Sequence, residues 1–513
     1  MTPGLGDVQD GVERPIDPVR GTRDWLPTDF ARLAELEALL LDRFARAGYV
    51  PLRTPVLEFT ELHERKSGAG IVAKLYELAG SEPGGVCLRP ELTAGIVRAY
   101  TGADEPPALP WRVSHAGPVF RHETPRPGRL REFQQVGVEL LGASGPLADG
   151  EVLWLADWAL AEAGVEGATI RLGHVGLILE TMRRSGLPEP TRAALIEMLS
   201  ESATEGRGVE SLELGLEQLS GWLQASEDAE VPTSVERADD GGIDRLFRTL
   251  VPVITGRRPG HEIVHRLRRK WDLAHGLHAA LDGVRDRIHA LAGLKGRAAD
   301  VLDRLGREHE ALAPDSVASL RALVRTLEDY GVDLDRVELD LGFGRGIGFY
   351  SQMIFEVVAP TPEGPVEACG GGRYDGLARV LGSPRDDRGV GFAFGLERLL
   401  HILDARGSQG RTAPPMSGFA VVAARPEAVS DAIRLATMLR TEGARVVVET
   451  DRPADATVAL ARSAGLARVV TVQGTGDAKG AFMLHDVATG ITTETRASAL
   501  RGLAAEDRER RRR

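Results

Sequence analysis

Apolar positions along the first 180 residues follow two different periods, which predict helices and short strands in a mixed order. Near the N-terminus they recur at helical spacing, at Leu33, Leu36, Leu39, Leu40 and Phe44. Thr28 or Asp29 is the predicted cap of that helix. Three further apolar runs, at 86–88, 111–120 and 134–141, predict strands. Hairpins and long loops join them, which favours an antiparallel α+β sheet over a doubly wound one.

The pattern changes twice further along the chain. From about 183 to 330, Leu, Ala, Arg and Glu dominate and aromatic residues are nearly absent, which predicts a helical insertion. The sheet is predicted to resume at Val337. A segment rich in Gly, Ser and Pro at 407–417 marks a second break. After it, apolar strands alternate with Ala-rich helices, predicting a small α/β domain with a largely parallel sheet.

These changes divide the chain into six predicted segments. They are a disordered leader (1–16), a first part of the sheet domain (17–182), the helical insertion (183–330), a second part of the sheet domain (331–408), the small α/β domain (409–505) and a charged tail (506–513).

Composition narrows the class of protein. Hydrophobic residues make up 42% of the 513 residues and charged residues 27%, as in ordinary globular proteins. The net charge of −12 argues against a dedicated nucleic-acid coat but allows a local basic groove. Two cysteines support neither a disulfide framework nor a thiolate zinc site. The chain shows no membrane-length apolar run and no apolar core in its first 20 residues, so we expect a cytoplasmic protein with no membrane partner.

A first candidate for chemistry is Glu91, which lies where a predicted strand ends and a helix begins. A carboxylate at such a junction can bind an amino group. It can also accept backbone N–H groups of the first helical turn and complement the helix dipole. Taken alone, Glu91 is better interpreted as a helix cap.

A second candidate is the segment from Phe120 to Gln135, where two apolar strands flank a loop rich in Pro, Gly and Arg. Arginine suits a triphosphate, because its rigid guanidinium pairs with two phosphate oxygens and stays charged. Gln135 and Glu139 are four residues apart on a strand, so they share a face. A buried glutamate needs a partner, which a cationic ligand group can supply. A solvated arginine loop is the alternative, and we favour the binding site.

Three glycine-rich segments follow, at 342–350, 369–377 and 389–400. No helix follows the first, which excludes a dinucleotide loop. Its glycines suit close approach of backbone to a ligand, with Arg345 and Tyr350 reaching that ligand, and a plain hairpin is an equally good interpretation. In the third, small residues let a flat ring lie on the sheet, and Arg398 is placed to hold phosphate. Taken singly, the second is better interpreted as a flexible turn and the third as a packed corner.

The run from His261 to His265 fits H-E-x-x-H, the zinc-protease pattern. The sequence offers no clear third ligand downstream. A solvated helix face is therefore the preferred interpretation, and a zinc protease is only a remote alternative.

Together these segments resemble the histidine branch of the class II aminoacyl-tRNA synthetases. The resembling segments are 20–27 (the start of the family), 53–58 (motif 1, the dimer element), 120–142 (motif 2), 389–400 (motif 3), and the Arg345 loop with 371–377 (the two histidine signatures). The resemblance implies a class II antiparallel core formed by 17–182 and 331–408. It also implies a C-terminal anticodon-binding-like α/β domain at 409–505.

The resemblance also implies roles for individual residues. The catalytic residues would be Arg121, Arg345 and Arg398, and the ATP-binding residues Arg121, Glu123, Arg129 and Arg398. The histidine-binding residues would be Glu91, Thr93, Gln135, Glu139, Tyr350 and Tyr374. ATP and Mg²⁺ are the expected cofactors, with no metal held by the protein alone.

Two activities fit this resemblance. The first is a homodimeric histidine–tRNA ligase, which activates histidine and transfers it to tRNA(His). The second is the regulatory subunit of ATP phosphoribosyltransferase, a paralogue that senses histidine and binds a short catalytic subunit. Gly348 and Phe349 replace an Asp and a Tyr of the ligase pattern, Leu130 and Gln134 replace a Tyr and a His, and 172–176 resembles the paralogue. The phosphate-binding arginines and the C-terminal domain favour the ligase.

Overall fold

The structure, a computed structural model, describes residues 16–67, 74–80, 82–125, 128–187, 283–311, 313–343, 350–384, 388–407, 416–449, 454–473 and 481–512. The predicted leader, most of the predicted insertion, the 261–265 motif and Arg345 lie outside these residues. The chain divides into two compact units, with the division between Ser408 and Gln409. Among the described residues, no helix combines the length and apolarity that a membrane crossing requires.

Twelve strands of the first unit are described. In chain order they are β1 (Val50–Leu52), β2 (Leu57–Phe59), β3 (Tyr76–Glu77), β4 (Val86–Leu88), β5 (Trp111–Phe120), β6 (Glu132–Leu141), β7 (Thr169–His174), β8 (Lys295–Arg297), β9 (Val337–Asp340), β10 (Met353–Thr361), β11 (Gly364–Arg373) and β12 (Gly389–Gly395). Nine form one sheet in the order β1-β5-β6-β12-β11-β10-β7-β9-β8, and β2-β4-β3 form a small second sheet.

The centre of the large sheet is antiparallel from β5 through β6, β12, β11 and β10 to β7, which confirms the predicted α+β class. Parallel pairs occur only towards its edges, between β1 and β5 and between β7 and β9. The register places Glu139 beside Gly391, and Gly391 beside Gly372. On one side of Glu139, glycines therefore occupy the paired positions of the next two strands.

Helices cover the sheet of the first unit. They are α1 (Pro27–Arg46), α2 (Thr60–Ser67), α3 (Thr93–Thr101), α4 (Pro146–Glu162), α5 (Val175–Arg184), α6 (Ala298–Glu308), α7 (Pro314–Asp329), α8 (Leu377–Val380) and α9 (Leu396–Ala405). Helix α1 buries Leu33, Leu36, Leu40 and Phe44 as predicted. The predicted cap at Thr28 or Asp29 is wrong, because Pro27 opens the helix and Leu26 is the N-cap residue. Proline suits this first position, since it has no N–H to satisfy.

The C-terminal part of the predicted insertion belongs to the main core, so its predicted end at 330 is wrong. Strand β8 joins the large sheet by antiparallel pairing with β9. Leu305 and Leu320 are fully buried in the same cluster as Leu153 of α4. Helical spacing of apolar residues shows that a helix has a buried face, but it does not show which core buries that face.

The described residues of the second unit form a five-stranded sheet with three helices. Its elements are β13 (Phe419–Ala423), α10 (Val429–Thr441), β14 (Val446–Glu449), α11 (Ala454–Ser463), β15 (Arg468–Val472), β16 (Ala481–Asp486), β17 (Thr492–Arg496) and α12 (Ala497–Arg512). Strands β14, β13 and β15 are parallel, whereas β16 and β17 add an antiparallel hairpin. The prediction of a largely parallel sheet is therefore correct for only three of the five described strands. Strand β17 is polar and exposed, so it lacks the apolar pattern of its neighbours.

The predicted charged tail is instead the end of helix α12. Asp507 is only 2% exposed, accepts the N–H of Gly418 at 2.8 Å and pairs with Arg468 at 2.8 Å. In the sequence, nothing distinguishes the buried Asp507 from the other charged residues around it. Only the packing of the second unit shows that this segment is structural.

Candidate functional site

The centre of the candidate site is Glu139 of β6, whose side chain is buried at 2% exposure. The hydroxyl of Thr93, at the start of α3, donates to its Oε1 at 2.5 Å. The hydroxyl of Tyr374, which follows β11, donates to its Oε2. His115 of β5 lies 4.0 Å from Oε1. The structure thus brings together three of the residues that the sequence predicts for histidine binding.

Glycines on neighbouring strands make room for these side chains. A Cβ at Gly391 would lie 1.9 Å from Glu139 Oε2, and one at Gly389 would lie 2.2 Å from the Tyr374 ring. A Cβ at Gly372 would lie 2.8 Å from the ring of Tyr350. No residue larger than glycine fits at these positions without displacement. The expectation that the small-residue strands accommodate flat rings is consistent with this packing, in which tyrosine rings of the chain itself lie on them.

Glu139 titrates near neutrality in the folded protein. Burial raises its pKa to about 7, the hydroxyls of Thr93 and Tyr374 counteract that rise, and the charge of Glu91 adds to it. Desolvation disfavours the charged carboxylate, whereas hydrogen bonds to it favour that form. The group can therefore be present as an acid or as a carboxylate when a ligand arrives.

We expect Glu139→Gln to gain stability relative to the wild type as the pH rises from 4.5 to 8. A raised carboxyl pKa favours folding below its unfolded pKa, and that contribution is lost as the pH rises through about 7. Glutamine does not ionise, so its contribution stays constant. From an ordinary pKa of 4.5, the relative change is about 3 kcal/mol. Thermal unfolding of both proteins at pH 5 and pH 8 measures it, and an unchanged difference in Tm would contradict it.

Glu91 is the second buried carboxylate, at 8% exposure. Its Oε1 accepts the N–H of Ala94 at 3.1 Å, which confirms the interpretation as a helix cap. Its Oε2 lies 2.7 Å from Lys66 Nζ, and His63 Nδ1 lies 3.7 Å from Oε1. Burial alone would raise the pKa of Glu91, but Lys66 and His63 lower it to about 2. Glu91 is therefore a carboxylate at neutral pH.

The connection between β5 and β6 places three predicted nucleotide-binding residues together. Arg121 donates from Nε to the carbonyl of Pro90 at 2.8 Å, and its guanidinium carbon lies 5.3 Å from the centre of the Phe133 ring. Glu123 lies 2.5 Å from Arg129 Nε and 3.6 Å from Lys74 Nζ. Burial opposes ionisation of Glu123, but Arg129 and the other cations hold its pKa below the ordinary value. This connection is rich in cations. Its one acid, Glu123, is ionised, and Arg129 and Lys74 balance its charge.

Arg398 and Glu397 lie in the first turn of α9. Arg398 Nη1 is 3.0 Å from Glu367 Oε2 and also donates to the carbonyl of Glu367 at 3.3 Å. Both carboxylate oxygens of Glu397 accept the N–H of Gln134 at 3.0 Å. Burial raises the pKa of Glu397 to about 7. Glu397 thus ties α9 to β6, while the Arg398 side chain is 25% exposed.

The remaining predicted residues occupy different positions. Gln135 is half-buried on β6, beside Gly395 and Gly117 of the neighbouring strands. Tyr350 is half-buried and packs against a small apolar cluster that contains Tyr374. Arg345 lies outside the described residues.

The arginine and aspartate of the 371–377 segment are structural. Arg373 is fully buried, donates from Nε to Asp149 at 2.7 Å and pairs through Nη1 with Asp375 at 2.9 Å. Its Nη1 also donates to the carbonyl of Ala143 at 3.0 Å. This network fixes the end of β11, and with it the neighbouring Tyr374. The flexible turn is therefore a wrong interpretation of this segment.

Sequence reasoning missed three buried residues beside the two glutamates, namely His63, Lys66 and His115. His63 is fully buried, and burial lowers its pKa to about 4. Burial has the same effect on His115. Lys66 is four residues after the buried Leu62 of α2, so both lie on one helix face. That spacing is the one signal in the sequence that an inward-facing lysine was present.

Within the described ranges, no group of three or more His, Cys, Asp or Glu side chains is placed to hold a metal ion. The 261–265 motif lies outside those ranges.

The sequence matches a protein-family model and curated relatives along most of its length. The family model described as histidyl-tRNA synthetase matches residues 21–212 and 208–399. A histidine–tRNA ligase of Pyrococcus furiosus is 27% identical over 486 residues, covering 94% of this chain and 96% of the relative. An ATP phosphoribosyltransferase regulatory subunit of Symbiobacterium thermophilum is 33% identical over 454 residues, covering 88% of this chain and 95% of the relative.

Solved structures show the same fold. The apo histidyl-tRNA synthetase of S. aureus superposes with a TM-score of 0.62 at 21% identity, covering 96% of this chain and all of that one. A structure from Bacillus halodurans, titled as an ATP phosphoribosyltransferase regulatory subunit/histidyl-tRNA synthetase, gives 0.61 at 21% identity, covering 90% of this chain and all of that one. The fold is thus that of an aminoacyl-tRNA synthetase-like protein. More narrowly, this chain belongs to the histidyl-tRNA synthetase family.

Proposed function

We propose that this chain is a histidine–tRNA ligase, which uses ATP to convert histidine to histidyl-adenylate and then transfers the histidyl group to tRNA(His). The observation that carries the proposal is the buried Glu139 site, formed by Thr93 and Tyr374. Its strand β6 leads back into the Arg121–Arg129 connection, and Glu397 ties its start to the helix that carries Arg398. Strand β6 therefore links the proposed histidine site to elements that carry arginines suited to a triphosphate.

Each group has a defined task in this proposal. The imidazole of histidine would bind near Glu139, with Gln135 and Tyr350 beside it, and the family resemblance assigns the α-amino group to Glu91. Arg121, Arg129 and Arg398 would hold the phosphates, and Glu123 would help to place the nucleotide. Mg²⁺ would bind mainly through ATP oxygens and neutralise their charge. Arg345 would steady the reacting carboxylate and the α-phosphate.

Adenylation would proceed by in-line attack of the histidine carboxylate on the α-phosphorus, with release of pyrophosphate. Such a displacement requires mainly positioning of the two reactants and neutralisation of developing charge. In this proposal, the glutamates and arginines named above would supply both. None of them has to act as a nucleophile.

We further propose a cytoplasmic homodimer that contacts tRNA(His). Three large apolar side chains on β1 and β2 are about half exposed, namely Val50, Leu57 and Phe59. Val50 and Phe59 flank residues 53–58, which include Leu57 and resemble the dimer element of the family. Neighbouring exposed apolar residues are typical of protein interfaces. This exposure supports the dimer.

The regulatory subunit of ATP phosphoribosyltransferase is the second candidate. It is favoured by the relative from Symbiobacterium thermophilum, which has that name, and by one of similar identity from Moorella thermoacetica. Gly348 and Phe349, beside Arg345 in the sequence, also depart from the ligase pattern. In this case, histidine would bind at Glu139 without being activated, and the partner would be a short catalytic subunit.

Histidine-dependent exchange of labelled pyrophosphate into ATP separates the two candidates. We expect the purified protein, with Mg²⁺, to catalyse this exchange and to charge tRNA(His). Exchange without charging would limit the proposal to adenylation. Binding of histidine without exchange, together with activation of a short ATP phosphoribosyltransferase, would overturn the ligase and support the regulatory subunit.

A further inference from the structure

Lys66 is a buried cation that contacts one of the two glutamates of the proposed histidine site. Its Nζ lies 2.7 Å from Glu91 Oε2, and the side chains of Lys66 and Glu91 are only 5% and 9% exposed. Lys66 belongs to the last turn of α2, and Glu91 lies just before α3. Two elements of the first unit therefore meet in an ion pair that is shielded from solvent.

This ion pair occupies the carboxylate that the proposed function assigns to the α-amino group of histidine. Oε1 of Glu91 already accepts the N–H of Ala94, and Oε2 faces Lys66. His63 is the other neighbour, but burial lowers its pKa to about 4, so it is neutral at pH 7. Lys66 therefore supplies the positive charge that balances Glu91.

A second ammonium at the same carboxylate would meet Lys66 at short range. Like charges in a poorly solvated site repel strongly, so the α-ammonium of a ligand must displace Lys66 or share Glu91 with it at a cost. Displacement is also unfavourable, because the lysine side chain is buried and would lose its ion pair with Glu91. Because Glu91 is already paired with Lys66, it contributes much less free energy to binding of an α-ammonium than an unpaired carboxylate would.

We propose that Lys66 determines the ligand specificity of this site by taking the place of the substrate's α-ammonium on Glu91. The site would then select ligands by their imidazole ring and carboxylate, and would bind imidazole carboxylates that lack an α-amino group nearly as well as histidine. The inference rests on the proposed histidine site at Glu139.

Calorimetry on the full chain tests the inference with two ligands, histidine and 3-(imidazol-4-yl)propionate, which is histidine without its amino group. We expect the wild type to bind both with Kd values that differ by less than tenfold. Lys66→Met should leave Glu91 unbalanced, so histidine should bind at least tenfold more tightly, whereas the affinity for the propionate should change less than threefold. Lys66→Arg keeps the charge and should behave as the wild type.

Lys295→Met is the matched control. Lys295 also pairs with a carboxylate, that of Asp340 at 2.9 Å, but this pair joins strands β8 and β9 and contains no residue of the proposed site. It should leave both affinities unchanged. A wild-type preference for histidine of tenfold or more would overturn the inference, and this result does not depend on whether Lys66→Met folds. Weaker histidine binding by folded Lys66→Met would also overturn it. Binding of neither ligand to any form would instead overturn the histidine site itself, and the inference with it.

Discussion

Replacing Arg398 with alanine should slow histidine-dependent pyrophosphate exchange about 100- to 1,000-fold, the typical effect of losing one preorganised donor to a developing charge. The Arg398 side chain is 25% exposed, and the partner described for it is Glu367 of β11. A guanidinium stays charged, and its planar geometry matches the oxygens of a phosphate. Histidine affinity should change less than threefold, because the proposed role concerns the nucleotide.

Arg406 provides a matched control for this prediction. It follows the same helix, is partly exposed and donates to the carbonyl of Glu166 at 2.7 Å, away from the carboxylates of the site. Arg406→Ala should leave exchange within twofold of the wild type. Equal losses in both variants would indicate damage to α9 rather than removal of a phosphate ligand. Unchanged exchange in Arg398→Ala would contradict its assignment to ATP.

Replacing Glu139 with alanine should weaken histidine binding by about 2–5 kcal/mol, the usual cost of removing one partner of a buried charged contact. The hydroxyls of Thr93 and Tyr374 both donate to Glu139, so alanine would also leave these donors without their acceptor. Calorimetry with histidine measures the loss directly. Both candidate functions require this result, because both bind the amino acid.

Glu151→Gln is the control for loss of a paired carboxylate elsewhere in the first unit. Glu151 of α4 pairs with Arg112 and accepts the hydroxyl of Tyr49, so its replacement should affect stability without affecting histidine affinity. Glu139→Gln retains the shape of the side chain and should give an intermediate loss. If folded Glu139→Ala binds histidine as the wild type does, the ring-binding role of Glu139 is wrong.

Local patterns determined most of the elements that position the site. Strands β4 and β5 have the predicted bounds, because an apolar run flanked by polar or turn residues is a local property. The small residues of β12 also indicated that a flat ring lies on the sheet, and in the structure Gly389 and Gly391 make room for Tyr374 and Glu139. The family was recognisable from the same short segments.

Several features depended on contacts between distant parts of the chain. The core helices α6 and α7 were predicted as insertion, and the end of α12 as a tail, since amphipathic spacing and charge do not identify the surface a helix packs against. Arg373 was predicted to lie in a flexible turn, but it is buried and pairs with Asp149, which is 224 residues away in the sequence.

The sequence by itself thus determined the elements, the antiparallel class and the residue types of the site, because each depends on neighbours along the chain. Only the tertiary structure decided how the charges are balanced. Glu91, predicted to bind an amino group or cap a helix, caps the helix and also pairs with Lys66, which no motif singled out. Burial raises the pKa of Glu139 to about 7, and the charge of Glu91 contributes. Desolvation and pairing arise from the packing of segments that are distant in sequence, so they are properties of the fold.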